Sequence, residues 1–241
     1  MNTVRRFSKN QEQDFRAYCA FEGLSFLTRN ELSAILSTLG INATATNLMR
    51  NGVIEPVYKG KVYRVSDKSG TVTELLTRIF EGDEPFYLTG IYAYNAYGFI
   101  EQLPSRYQVA NRKIQREKSI AGYGFIFSKV NDKYFYGIDR TACLPVKERA
   151  LIDFCHSFGY ERFIEALTDQ RAAVDLNTLI RFALQYPVNK VARRVLYGVD
   201  SLDRIDDDIR TQLDAKSLIT LTERNSREGR IDTRFNIIIN Q

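Results

Sequence analysis

The sequence predicts a mixed α+β protein in two parts, a small helical unit closed by a β-hairpin and a larger α+β unit after it. Three observations carry this. Residues 26–65 read without a gap as helix, tight turn, helix and hairpin. Ser66-Asp67-Lys68-Ser69-Gly70 is polar and reads as a linker. At 241 residues the chain is too long for the first unit alone, and its later segments mix helix and strand signals. The expected division is therefore 1–66 and 67–241.

The elements of the first part follow from local chemistry. Phe15, Tyr18 and Cys19 recur at helical spacing in residues 11–21. Thr28 is an N-cap: Glu31 stands three residues later, where its carboxylate can bond back to the cap, and Leu27 precedes the cap as a hydrophobic staple. Leu32, Ile35, Leu36 and Leu39 then form one apolar stripe, which Gly40 ends. A second helix is expected over 43–50, with Leu48 inward and Thr44, Thr46, Asn47 and Arg50 outward. Asn51-Gly52 stops it. Two β-like runs, 53–58 and 62–65, are joined by Lys59-Gly60-Lys61. Helix, turn, helix and basic hairpin in that order predict a winged helix-turn-helix, a DNA-reading module.

Each outward residue type has a use there. Asn pairs bidentately with adenine and Arg with guanine, and Thr offers a methyl to thymine or a hydroxyl to phosphate. Lysines at a hairpin tip reach a phosphate backbone. The expected DNA-facing set is Arg29, Asn42, Thr44, Thr46, Asn47, Arg50, Lys59, Lys61 and Arg64. The alternative reading of the same pattern is a protein-docking platform, since winged helices also serve as binding modules.

Charge supports the DNA reading. Residues 1–66 hold nine Lys and Arg against five Asp and Glu, which is +4 of the chain's net +5. Residues 102–133 hold seven basic residues against Glu117 and Asp132. Arg106, Arg112, Lys113, Arg116 and Lys118 are expected as a second basic surface that extends a DNA footprint, meets an acidic partner or is a solvated hairpin face. Asp200, Asp203, Asp206, Asp207, Asp208 and Asp214 form an acidic counterweight, expected as a solvated helix N-terminus rather than a metal site. Hydrophobic content of 44% and charged content of 26% suit a folded globular chain. No apolar run approaches a membrane span, and the first residues have no secretory h-region. Cys19, Cys143 and Cys155 lie far apart, so reduced thiols and a cytoplasmic location are expected.

In the second part, helices are expected over 72–80, 145–158, 160–167, 176–184 and 188–197. Residues 87–97 read as a buried helix with small residues at close contacts. Strands are expected over 106–110, 122–130 and 133–138, with Asn131-Asp132 as a hairpin turn, and β-like runs over 218–222 and 235–239. No catalytic pattern stands out. His156 is the single histidine, and Cys155 beside it points about 100° away on a helix. Glycine-rich phosphate loops and the nucleophile elbow are absent, so no cofactor and no enzymatic activity are expected. A metal-dependent nuclease would have to be assembled from Glu117, Lys118 and Asp139, which share no motif.

Three blocks carry a family resemblance: GVIEPVYKGKVYRV ending the first part, YLTGIYAYNAYGFIEQLPSRYQVANRK over 87–113, and VKERALIDFC over 146–155. In this order they resemble the AbiEi-type antitoxins, the transcriptional-regulator half of bacterial type IV toxin–antitoxin and phage-defence systems. Gly98-Phe99 fits the family's middle segment. The resemblance implies a protein that binds operator repeats in double-stranded DNA upstream of its own operon and represses it. Its C-terminal domain would counteract a nucleotidyltransferase-like toxin. Thr44, Thr46, Asn47 and Arg50 match the family's recognition helix, and Lys59 and Lys61 its wing.

Overall fold

A computed structural model describes residues 7–81, 84–213, 217–222 and 229–240. Asp214 and the side chain of Arg210 fall outside the described residues. The chain is mixed α+β and divides into two units. The first holds the residues up to Pro85 together with Lys118–Phe125, and the second holds Phe86–Glu117 and the residues from Ile126 on.

The first unit contains α1 (Lys9–Phe21), β1 (Phe26–Thr28), α2 (Arg29–Thr38), α3 (Ala45–Arg50), β2 (Ile54–Tyr58), β3 (Val62–Val65) and α4 (Val72–Ile79). Both α1 and α2 begin with capping boxes, Ser8 with Gln11 and Thr28 with Glu31. The strands form an antiparallel sheet in the order β1-β3-β2. Phe15, Leu27, Leu32, Ile35, Leu36, Leu48 and Val53 fill one core between helices and sheet. Strand β1 was not expected. Its three residues are too few to show a period, and they are extended because they pair with β3, Phe26 opposite Arg64 and Thr28 opposite Val62.

This unit also runs past the boundary expected at residue 66. Helix α4 is tied into it by Glu74, whose Oε1 accepts the amides of Ser25 at 2.8 Å and Phe26 at 3.0 Å. Arg78 Nε lies 2.9 Å from the Glu31 carboxylate. Residues 118–125 rejoin the unit from much later in the chain, and there Tyr123 donates its hydroxyl to the Gly70 carbonyl at 2.9 Å.

The second unit opens with β4 (Phe86–Thr89) and α5 (Ile91–Ala96). The expected helix over 87–97 therefore begins as strand. Tyr87 and Leu88 pair with Ala110 and Val109, and Gly90 at φ 65° turns the chain into α5. Then come β5 (Tyr107–Asn111), β6 (Arg116–Ile120) and β7 (Tyr123–Lys129), giving a sheet in the order β4-β5-β7-β6. The hairpin turn lies at Ala121 (φ 52°) and Gly122 (φ 86°), joining β6 to β7. It does not lie at Asn131-Asp132, and of the strand expected over 133–138 only the last residue, Ile138, is extended in a sheet. The Asn131 side-chain Oδ1 accepts the Lys133 amide at 3.0 Å and starts a single 3-10 turn.

Beyond it lie β8 (Ile138–Asp139), β9 (Leu144–Pro145), α6 (Lys147–Asp169), α7 (Leu176–Gln185), α8 (Asn189–Leu202) and α9 (Asp207–Thr211). Helix α6 is interrupted at Gly159 (φ 83°, ψ 179°), where the two helices expected over 145–158 and 160–167 meet. Leu151, Phe154, Phe163, Leu179, Val195 and Leu196 form the helical core. A last sheet has the order β10 (Ile219–Thr220), β12 (Ile237–Ile239), β11 (Arg230–Asp232). Fully buried Arg193 holds it by donating to the carbonyls of Ser217 and Phe235, each at 2.7 Å, and of Asn236. Among the described residues no helix is long and apolar enough to cross a membrane.

Candidate nucleic-acid interface

Helix α3 is six residues long, and Leu48 is its main anchor, with Ala45 and Met49 packed partly buried against the same core. Leu48 is fully buried, and such a burial contributes about 1.5–3 kcal/mol. After α2 the chain turns at Gly40 (φ 63°), and Ile41 returns its amide to the Leu36 carbonyl at 2.9 Å. The expected start at residue 43 moves to an N-cap at Thr44, whose hydroxyl accepts the Asn47 amide at 3.3 Å. Thr44 thus shapes the helix start and has less of its hydroxyl left for a ligand. Thr46 and Arg50 are exposed, Asn47 is half-buried, and all three lie on the first and last turns of one short face. Asn42 is exposed in the loop before the cap.

The hairpin tip is set by backbone geometry. Lys59 (φ 47°) and Gly60 (φ 63°) are both left-handed, as a two-residue turn of this hand requires, and the Lys61 amide closes it on the Tyr58 carbonyl at 2.8 Å. The register shifts between Pro56 and Tyr58, which re-aims the tip. Arg29, the first residue of α2, donates its amide to the Lys61 carbonyl at 2.9 Å, so the two residues are neighbours along the backbone. Arg29, Arg50, Lys59 and Lys61 are exposed, and none has an ion pair among the described residues. Arg64 differs. It is half-buried and bonded to Glu55 across β2 and β3 at 2.8 Å.

The second basic set does not form one surface. Arg106 is paired with Glu117 at 2.5 Å. Arg112 is paired with Asp132 at 2.7 Å and lies over the Phe135 ring. Lys113 is exposed, and its amide is held by Asn111 at 2.9 Å. Arg116 is half-buried. Lys118 belongs to the first unit, where its ammonium lies 5.1 Å from the centroid of the Tyr58 ring. Lys59 approaches the same ring at 5.5 Å. Sequence reasoning gave Tyr58 no role, because sixty residues separate it from Lys118.

A polar cluster in the second unit was also not expected. Arg149 is fully buried. It bonds Asp153 at 3.0 Å and lies 4.6 Å from the Tyr136 ring and 5.1 Å from that of Tyr186. Tyr186 donates to the same carboxylate oxygen at 2.9 Å and meets His156 Nδ1 at 2.8 Å. Burial pushes the Asp153 carboxyl above its ordinary range, against the pull of Arg149 and the Tyr186 hydroxyl. Burial, helped by Asp153, likewise holds the Tyr186 and Tyr87 hydroxyls in their neutral form. The only sequence signal was Arg149 and Asp153 at i,i+4 spacing.

Glu117 and Asp139 are occupied structurally: Asp139 accepts the amides of Thr141 at 2.8 Å and Ala142 at 3.1 Å. In the acidic run, Asp200 pairs with Arg234 at 3.0 Å and Asp203 with Arg171 at 3.5 Å, while Asp206, Asp207 and Asp208 are exposed at the start of α9. Among the described residues no three His, Cys, Asp or Glu side chains gather as a metal-holding set.

No protein-family model matches the chain. No curated protein matches it. Among solved structures it is similar to the RV2827C protein from Mycobacterium tuberculosis, with 17% identity and a TM-score of 0.58 over 98% of this chain and 93% of that one. At that identity the likeness speaks for the mixed α+β fold alone.

Proposed function

We propose that the protein is a DNA-binding transcriptional repressor. On this reading the first unit is a winged helix-turn-helix that places α3 in the major groove and the β2–β3 tip on the backbone. The observation that carries it is the set of exposed cations Arg29, Arg50, Lys59 and Lys61, which share the unit of the two helices and the hairpin and have no counter-ions among the described residues. Unpaired cations beside an amide and hydroxyls suit phosphates and base edges. A protein partner for residues 102–133 gains less support, because Arg106 and Arg112 already face Glu117 and Asp132. The resemblance of the three sequence blocks to AbiEi-type antitoxins extends the proposal. The target would be the chain's own promoter, and the second unit would counteract a nucleotidyltransferase-like toxin.

The test is binding to a duplex from the chain's own upstream region over an ionic-strength series. Arg50→Ala is expected to weaken specific binding by about 1–3 kcal/mol and relax the preference at one base. Lys59→Ala with Lys61→Ala is expected to weaken all sequences alike and flatten the salt slope by about 0.9 for each lysine. Wild-type affinity and slope in both variants would remove the assignment. For the toxin arm, co-expression with a neighbouring nucleotidyltransferase-like gene should relieve its growth defect, and no relief rejects that arm.

A further inference from the structure

We propose that Lys118, from the β6–β7 hairpin, is a phosphate contact of the first unit and acts beside the β2–β3 tip as part of one duplex-binding surface. This rests on the DNA-binding reading above and extends it to a segment distant in sequence. Both the Lys59 and Lys118 ammonium groups lie within 5.5 Å of the centroid of one ring, that of Tyr58. Lys118 is exposed, and like Lys59 it has no carboxylate partner among the described residues. The two ammonium groups are thus no more than about 11 Å apart, the sum of the two centroid distances, and like charges at that range repel each other in the unbound protein. An anion beside them removes that repulsion, so the pair favours a polyanion over a neutral partner.

The placement follows from the fold. Residues 118 and 120 share one face of β6, and residues 117 and 119 the other. Ile120 is 2% exposed, and its burial fixes the side on which Lys118 emerges. The neighbouring Glu117 is on the opposite face, paired with Arg106. The Tyr123 hydroxyl, bonded to the Gly70 carbonyl, holds the hairpin end in the first unit. Lys59 and Lys61 flank Gly60 at the tip, and Lys118 lies over the ring of Tyr58, which precedes the tip. Duplex DNA presents one charge about every 1.7 Å along its axis, a density that suits several cations in a small area.

The experiment uses the full chain and a random-sequence duplex, with affinity measured from low to moderate salt. Lys118→Ala is expected to flatten the slope of log affinity against log salt by about 0.9, one phosphate. Lys118→Arg should restore it. Lys133→Ala, the loss of an exposed lysine in the second unit, should leave it unchanged. A wild-type slope for Lys118→Ala alongside a flattened slope for Lys61→Ala overturns the Lys118 assignment and leaves the DNA reading standing. No duplex binding by the wild-type chain at about 50 mM salt overturns both. Weakened binding of polyglutamate by Lys118→Ala, with duplex binding intact, overturns the proposal in favour of an acidic protein.

Discussion

Arg50 in the first unit is exposed and has no ionic partner among the described residues, whereas Arg149 in the second is fully buried, bonded to Asp153 and covered by tyrosine rings. The contrast extends to their neighbours. Lys59, Lys61 and Lys118 stand in solvent, while Arg193 and Arg194 are buried and donate to backbone carbonyls of the last sheet. A cation left in water keeps its attraction for an outside anion. A cation enclosed by the fold has that attraction satisfied internally, and removing its partner leaves a charge with nowhere to go. The same residue type therefore points to binding in one unit and to structure in the other.

The largest test of this contrast is a matched pair of variants. Asp153→Ala strands Arg149 in the core and is expected to cost about 3–5 kcal/mol of stability in denaturant unfolding. Arg50→Ala should stay within about 0.5 kcal/mol. Equal effects would erase the distinction.

A second test is pH. Burial raises the folded-state pKa of Tyr87, Tyr94, Tyr136 and Tyr186 above the ordinary 10.0. A raised value means that the folded state holds these protons more tightly, so their contribution is complete below pH 10.0 and is lost as pH rises beyond it. Ultraviolet difference absorbance should show phenolate appearing together with loss of the second unit's fold. Smooth titration with the fold intact would reject the enclosed cluster.

A third, narrower test concerns Arg106, which belongs to the second unit but is exposed and paired with Glu117. Arg106→Ala should change stability by about 0–1 kcal/mol. A larger loss would mean that surface pairs in this unit act like its buried ones.

Legibility in the sequence followed distance along the chain. Thr28 and Glu31 could be read because the capping box closes within three residues, and Gly159 because a glycine between two helical stripes marks a break. Strand β1 could not, since its conformation is imposed by β3. The stretch 87–97 looks helical through its alanines and tyrosines, yet β5 makes its first part extended. In the candidate interface, Arg50, Lys59 and Lys61 were visible as a pattern. The pairing that occupies Arg64 was not anticipated, and the approach of Lys118 to Tyr58 depends on β6, where no strand was expected, and on its hairpin with β7.

The return of residues 118–125 to the first unit has a consequence for how the protein is made. A unit that ended at Pro85 could finish folding while the rest of the chain was still on the ribosome. Here Ile120 and Phe125, both buried, are added about 40 residues later. At about 5–20 residues per second, that stretch takes about 2–8 s to synthesise. During this interval the nascent chain carries Tyr58 and Lys59 but not Lys118, so the complete lysine cluster first exists only after translation has entered the second unit.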